Sequence, residues 1–415
     1  MDGNRGSGLG EPRGVAALLL IAGARWLWVW LFLEKFLHTS WTWHLYPDVV
    51  SWLAFLQTAS PTNVPYVDFS REYPPLAGYF FFALKAWAPL QDPWAFIRWH
   101  AVVFTVVDTV NLFLFHRILL EFKRHVPLGL CLLLFQLNLT ALFLSGFRFD
   151  GLLVFFLLAG YLAHVRGRPG LANLLWGVGF NIKWFTVFAF IAMEWRRLAL
   201  RQAGLRDVLR SAACFVAPAA VVLGTLGLLT FLEHGHAQTI LYPLLYHAGR
   251  PAAWDTVPGV LGLWFGRPGV KNLIDGLELG LMMASILLRP RHALAQKIAL
   301  VGCSMLLVTR VYSPQYHLWI YPFLICLIAA SPSSRLRVWF LSFFLALDVV
   351  NMAIYPFLFT TAINEVGGFC YGAAAARGGI GTLALSACVA LRAVGMLALW
   401  TRLFFTSERD LPERL

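Results

Sequence analysis

Ten stretches of this chain are apolar for 15 residues or more: 15–37, 94–116, 126–145, 149–164, 211–232, 272–288, 295–309, 316–330, 337–358 and 380–403. No other feature narrows the fold so far. A backbone inside lipid must satisfy its own hydrogen bonds, and a helix does so within one segment. A hydrocarbon core of about 30 Å takes about 20 apolar helical residues. Composition agrees, with 59% hydrophobic residues and 13% charged, where a soluble domain is about a quarter charged. The 17 Trp and 34 Phe suit interfacial belts and helix packing. The expected fold class is an all-α polytopic membrane protein.

Two segments need separate treatment. The stretch 171–195 is apolar except for Asn181 and Lys183 at its middle. It is expected to form two short helices meeting at a polar turn, which brings the span count to about twelve. The segment 73–90 begins with paired prolines, Pro74 and Pro75, which suit a helix start. As a span it would push the basic loop 116–125 outside, so it is expected to lie on the outer surface as an amphipathic helix.

With that choice, 20 of the 33 Lys and Arg residues fall in cytoplasmic segments, 11 on the far side, and Arg25 and Arg392 within spans. The bias predicts both termini inside. The expected organisation is a disordered cytoplasmic tail over 1–14, one transmembrane domain over 15–405, and a second tail over 406–415. Outer loops are expected near 38–93, 233–270 and 359–379. The first apolar run is too long, and too lacking in a small-residue cleavage site, for a removable signal peptide. The net charge of +12 belongs to basic cytoplasmic loops and does not call for nucleic acid. The six Cys show no CxxC spacing and are expected as small buried hydrophobes. No cluster has metal-ligand spacing.

Polar residues collect on the face given to the long loops. The first loop holds Asp48, Asp68, Arg71 and Glu72 among aromatics. Asp48 precedes a helix-patterned run (Val49, Trp52, Leu53, Leu56), so it is either a helix cap or a proton acceptor. Asp68 can likewise cap a turn, and Glu72 beside Arg71 can be a surface pair. SGFRFDG sets Arg148 and Asp150 at a span's mouth, and FNIKWF puts Lys183 at membrane depth, where an ionisable group is costly without a partner. YHAGRPAAWD offers His247, Arg250 and Asp255, and TRVYSPQYHLW offers Arg310, Tyr312, Gln315, Tyr316 and His317. Each alone has a structural explanation as a cap, an anchor or a snorkelling chain. Together they suit a substrate with a phosphate for the cations, a hydroxyl for the acids and an apolar tail for the groove.

Asp48, the run VPYVDFSREYPPL (64–76), the turn at Lys183 and the run YSPQYHLWIYPFL (312–324) resemble the GT-C superfamily of membrane glycosyltransferases. Within it they resemble glycosyltransferase family 87, which includes polyprenol-phosphate-mannose-dependent mannosyltransferases. The resemblance runs from the first helix to about residue 324. It implies a GT-C-type bundle with amphipathic outer helices, and inverting transfer of a hexose, mannose by preference, from a polyprenyl phosphate donor. The acceptor would be a lipid or glycan at the outer face of a bacterial cytoplasmic membrane. It casts Asp48 as general base, and Asp68, Arg71, Glu72, Arg148, Asp150, Lys183, His247, Arg250, Arg310, Tyr312, Gln315, Tyr316 and His317 as substrate-binding residues. Membrane lipid is the surrounding partner, and neither cofactor, metal nor nucleic acid is implied. The first loop lacks the DD or DxD pair of some GT-C branches. The competing expectations are a transporter or flippase for a lipid-linked or anionic substrate, and a scaffold without chemistry.

Overall fold

A computed structural model describes residues 12–36, 47–60, 64–68, 72–235, 238–250, 252–253, 255–265, 271–359 and 380–407. Arg71, Cys370, most of the 359–379 loop and the ends of both tails lie outside these residues. The described chain is helical, with no strand.

Five helices are long and apolar enough to cross a membrane: Gly14–Lys35, Pro93–Leu120, Leu205–His234, Ser334–Tyr355 and Ile380–Phe405. They fall within α1 (Pro12–Phe36), α4 (Pro93–Leu120), α10 (Leu205–His234), α16 (Ser334–Met352, continued by an irregular turn) and α17 (Ile380–Phe405). The pair α5 (Leu128–Gln136) and α6 (Leu139–Leu144) makes a sixth span if taken as one, bent by 44° at its break. That break has a local cause: Asn138 caps the second half, its side chain accepting from Ala141 N at 2.8 Å. Three shorter apolar helices accompany them: α7 (Asp150–Val165), α14 (Leu294–Val308) and α15 (His317–Ala330). The chain is therefore an all-α membrane protein. By length and composition the described helices carry five or six spans, fewer than the twelve expected.

The polar turn of 171–195 forms where it was expected, between α8 (Pro169–Phe180) and α9 (Thr186–Ala199). Asn181 ends α8 by turning its amide back onto Gly177 O at 3.0 Å. The 73–90 segment agrees with expectation in not spanning and departs from it in character. It holds only a ten-residue helix, α3 (Pro75–Leu84), followed by a tight turn over Lys85–Trp87. At about 1.5 Å per residue α3 is far too short to span. Nor is it amphipathic: PLAGYFFFAL has no charged side chain, and Phe80 and Phe82 off its buried face are as apolar as buried Phe81.

Two apolar layers make up the interior. The larger packs α5, α7, α14, α15 and α16 around residues such as Cys131, Tyr161, Trp176 and Phe323. The second occupies the other end of the bundle, where Trp52 of α2 (Pro47–Thr58) stacks on Phe81 at 3.8 Å and packs with Phe149 and Tyr73. Lipid-facing surface explains the rest of the apolar composition: in α10, Phe231 and Leu232 are 59% and 72% exposed. Close helix crossings rest on glycine. A Cβ on Gly177 of α8 would meet the Phe215 backbone of α10.

Backbone hydrogen bonds tie the connecting segments together at the second end. Leu76 N donates to Asn181 O at 2.9 Å, and Ala253 N to Arg310 O at 2.8 Å. The Thr230 hydroxyl of α10 reaches Tyr66 O at 3.3 Å. The chain thus gathers residues 47–60, 64–68, 72–76, 148–150, 181–185, 247–250, 252–253, 255, 309–316 and 355 at one end.

Candidate active site

Asp48 stands in the first turn of α2, its side chain 27% exposed, in a salt bridge with Arg148. It does not act as the cap of its helix, since Pro47 already belongs to α2. Arg148 follows the short turn Ser145–Phe147, is 4% exposed, and also donates to the Tyr355 hydroxyl at 3.0 Å. Its guanidinium is fixed on two sides, and so it fixes Asp48. Burial raises the Asp48 carboxyl, but Arg148, with Lys183 and Arg250 further off, outweighs this and holds it below the usual carboxylate range. Asp48 is an ionised carboxylate at neutral pH.

Two residues along, Asp150 opens α7 and is fully buried. It accepts from Lys183 Nζ at 2.7 Å and from Trp319 Nε1 at 2.8 Å. Four rings surround the ammonium, with centroids at 4.6 Å (Phe149), 5.1 Å (Trp319), 5.3 Å (Tyr316) and 5.7 Å (Tyr73). A carboxylate and an aromatic cage together make a charged Lys tolerable at 9% exposure. The expectation that Lys183 needs a partner is met by Asp150.

Lys183 also faces a cavity of about 450 Å³. Tyr73, Trp184, His247, Tyr316 and Trp319 line it with Lys183, while Arg310, Asp275 and Glu278 line it from α13 (Lys271–Leu287) and the end of α14. Leu244, Leu279, Met282, Met305 and Phe188 supply an apolar wall. Tyr73 connects the cavity to Asp48. Its phenol is raised well above the ordinary value, first by burial and then by the charges of Asp48 and Glu72. It therefore stays protonated as a hydrogen-bond donor between the two regions.

His247 in α11 (Gln238–Gly249) bonds Glu72 O through Nε2 at 2.9 Å. Burial, opposed by that carbonyl and aided by Arg250 and Lys183, lowers the imidazole to about 4. It is neutral at pH 7, a hydrogen-bonding group and no cation. Arg250 lies over the Tyr246 ring at 5.9 Å. Among the described residues no carboxylate comes within salt-bridge reach of it, although its charge acts on Asp48, His247, Tyr316 and Asp255.

The other expected site residues divide. Glu72 touches the site through its carbonyl. Arg310 is on the cavity wall, but its guanidinium is engaged by Asp275 Oδ1 at 2.5 Å and by Arg250 O at 2.6 Å. Of the 312–317 run, only Tyr316 lines the cavity. Tyr312, Gln315 and His317 are corrected to buried positions, at 5%, 3% and 1% exposure. Tyr312 bonds His317, whose Nδ1 meets the Tyr321 hydroxyl at 2.8 Å, which donates to Asp348 at 3.1 Å. Asp348 in turn takes the Leu139 and Thr140 amides at 2.6 and 3.0 Å. This chain fastens α15 to α16 and caps α6.

Asp68 sits apart. It takes Val64 N at 2.6 Å and approaches His234 Nε2 at 3.8 Å. Although no cluster shows in the sequence spacing, ligand atoms of Asp68, Glu233 and His234 lie within 4.8 Å of one another. Spacing in sequence hid it, because 165 residues separate Asp68 from Glu233. All three are exposed.

Sequence reasoning missed Tyr73, Tyr355 and Trp319, the partners of the charged groups, and the cavity acids Asp275 and Glu278. For the acids a marker existed: two carboxylates three apart in an apolar, span-like run. No protein-family model matches the chain, and no curated protein matches it in sequence.

Proposed function

We propose that this chain is a membrane glycosyltransferase, moving a hexose from a polyprenyl phosphate to a lipid or glycan acceptor at the outer face of the membrane. The observation that carries this reading is Asp48. It is a half-open carboxylate kept ionised by a fixed Arg148, beside a cavity with cationic, aromatic and apolar walls. With α7, α8, α9, α13, α14 and α15 crossing along with the six longer segments, the bundle would be a GT-C-type one of about twelve spans.

In this reading the acceptor hydroxyl attacks the anomeric carbon as the bond from that carbon to the phosphate oxygen breaks. Asp48 takes the hydroxyl proton, and the polyprenyl phosphate leaves with the bonding pair. Attack opposite the leaving group inverts the anomeric centre. A weakly basic carboxylate suffices, because the hydroxyl becomes strongly acidic only as its bond to carbon forms. Arg250, without an acid of its own among the described residues, and Lys183 meet the charge on the leaving phosphate. Leu244, Leu279 and Met282 suit the first isoprene units. Arg148 and Asp150 act behind the site, the first holding Asp48 and the second Lys183.

The test is incubation of the purified protein with radiolabelled polyprenyl-phosphate mannose and membrane lipid extract. A new labelled glycolipid or glycan with the opposite anomeric configuration is the expected product. The bent α5–α6 pair and the broken α8–α9 segment also suit a transporter, whose sites lie at interrupted helices. Movement of labelled lipid across vesicles with no bond formed would establish that second reading.

A further inference from the structure

Asp275 and Glu278 are the least expected lining of the cavity. They stand three residues apart on α13 and so share one face of it. Asp275 gives one carboxylate oxygen to Arg310 at 2.5 Å and keeps a side chain 39% exposed. Glu278 lies within hydrogen-bonding reach of Thr309 and has no ion-pair partner among the described residues. In a helix that is apolar from Leu273 to Leu287 but for these acids and Ser285, two carboxyls on one cavity wall are not explained by packing.

Neither acid suits one part of the proposed substrate. A phosphate needs cationic donors and belongs with Lys183 and Arg250. What carboxylates bind well is a donor of neutral hydrogen bonds, and each oxygen can accept from a neighbouring hydroxyl. The rest of the cavity fits the same ligand. Tyr73, Tyr316 and Trp319 line it beside Lys183. Ring faces take the C–H face of a pyranose, as they take other partly positive hydrogens. At about 450 Å³ the space falls in the range of roughly 300–1,000 Å³ of small-ligand pockets. Lys183, two acids able to bond hydroxyls and three aromatic rings on one cavity fit a glycosyl phosphate headgroup better than a phosphate alone.

Resting on the transferase reading, we infer that Asp275 and Glu278 read the hydroxyls of the transferred sugar and set which hexose the enzyme accepts. Glu278 is the sharper of the two, because Asp275 also holds Arg310. In this arrangement the sugar ring lies between the cationic and acidic walls, with its hydroxyls turned to α13. A sugar with one hydroxyl inverted leaves a carboxylate oxygen unpaired there, and unpaired buried acceptors discriminate strongly.

The experiment compares kcat/KM for two polyprenyl phosphate donors epimeric at one hydroxyl, mannose and glucose, in wild type, Glu278→Gln and Asp275→Asn. Glu278→Gln keeps the size of the side chain but replaces one acceptor oxygen with a donor. The expected result is a change of about tenfold or more in the mannose-to-glucose ratio in Glu278→Gln, with a change of the same kind in Asp275→Asn. Equal loss on both donors, or an unchanged ratio in both variants, overturns the inference while leaving the transferase reading standing. A well-folded wild type that uses no polyprenyl phosphate sugar removes that reading, and the inference with it. Thermal unfolding of each variant in detergent identifies a folding loss, and the second variant then decides.

Discussion

Two buried sets of charges lie in this bundle, and they differ in what they leave open. Deep between α1 and α4, Arg25 and Asp108 approach to 3.5 Å with side chains 1% and 8% exposed. Arg25 also donates to Leu142 O at 3.1 Å and Ser145 Oγ at 2.5 Å. Every direction in which it points is protein. The void beside Asp108 is about 20 Å³, room for about one water. At the other end, Arg148 and Asp150 are just as buried, but each holds a partner that reaches open space: Asp48 at 27% exposure and Lys183 on a cavity of about 450 Å³. Charge inside a membrane protein is therefore not enough to mark a site. Access separates a fastening from a reactive group.

This difference can be broken by experiment, and the largest effect is expected at Asp48. Asp48→Asn removes the proton acceptor but keeps the shape, and sugar transfer should fall by about 10²–10⁴-fold. Asn can still accept a hydrogen bond from Arg148 but leaves that buried guanidinium without its counter-charge, so the unfolding temperature in detergent should fall while the protein still folds. Full transfer activity in this variant would end the assignment of Asp48 as base.

Arg25→Met should do the reverse. Leaving Asp108 unpaired in the bundle costs about 3–5 kcal/mol, read as a large drop in unfolding temperature. The protein that remains folded should turn over normally. Adding Asp108→Leu should restore most of the stability, because an apolar pair replaces an ion pair with little loss. If the single Arg25→Met variant folds as well as wild type but transfers no sugar, the division between fastening and reactive charge is wrong.

How much of this was legible beforehand follows the same division. Apolar runs gave the helices, and the Asn181–Lys183 break appeared where the polar residues interrupt the run, because period and polarity are local properties. Lys183 stands out as a charge at a depth that charges avoid, and Asp48 and Arg250 as members of the polar groups collected in the long loops. Which charges face open space was not legible. Arg148 and Arg310 look alike in sequence to Arg250, but pairing with Asp48 and Asp275 depends on helices far apart along the chain. The YSPQYHLW run was read as four site residues, although three of them face the interior. Along a helical turn only one side can meet the cavity, and no pattern in the run says which.

Asp255 sharpens the comparison, being an acid at the site end that is nonetheless sealed, at 2% exposure. Burial, opposed mainly by Arg392, raises its carboxyl to about 6. The folded state therefore holds this proton more tightly than the unfolded chain does. Its stabilising contribution is present below about pH 4 and is lost as the pH rises through about 6. Asp255→Asn escapes that loss. The variant should be the more stable protein above pH 6, by about 3 kcal/mol at most, with the gap closing towards pH 4. Unfolding temperatures from pH 4 to 8 measure it, and a gap that widens on acidification would reverse the assignment.

The smallest effect is expected at Arg310, which belongs to neither class. It lines the cavity, yet its guanidinium is divided between Asp275 and Arg250 O, and its carbonyl takes Ala253 N. Those contacts clamp the segment that carries Arg250, the cation without an acid among the described residues. Lys cannot hold both partners with one ammonium. Arg310→Lys should therefore loosen Arg250 and cost about one hydrogen bond, about 1 kcal/mol, seen as about a fivefold rise in KM for the donor with kcat nearly unchanged. Arg250→Ala should raise KM by more and make the Arg310→Lys change silent when the two are combined. If the two effects instead multiply, Arg310 touches the donor itself and belongs with the groups that act in the open.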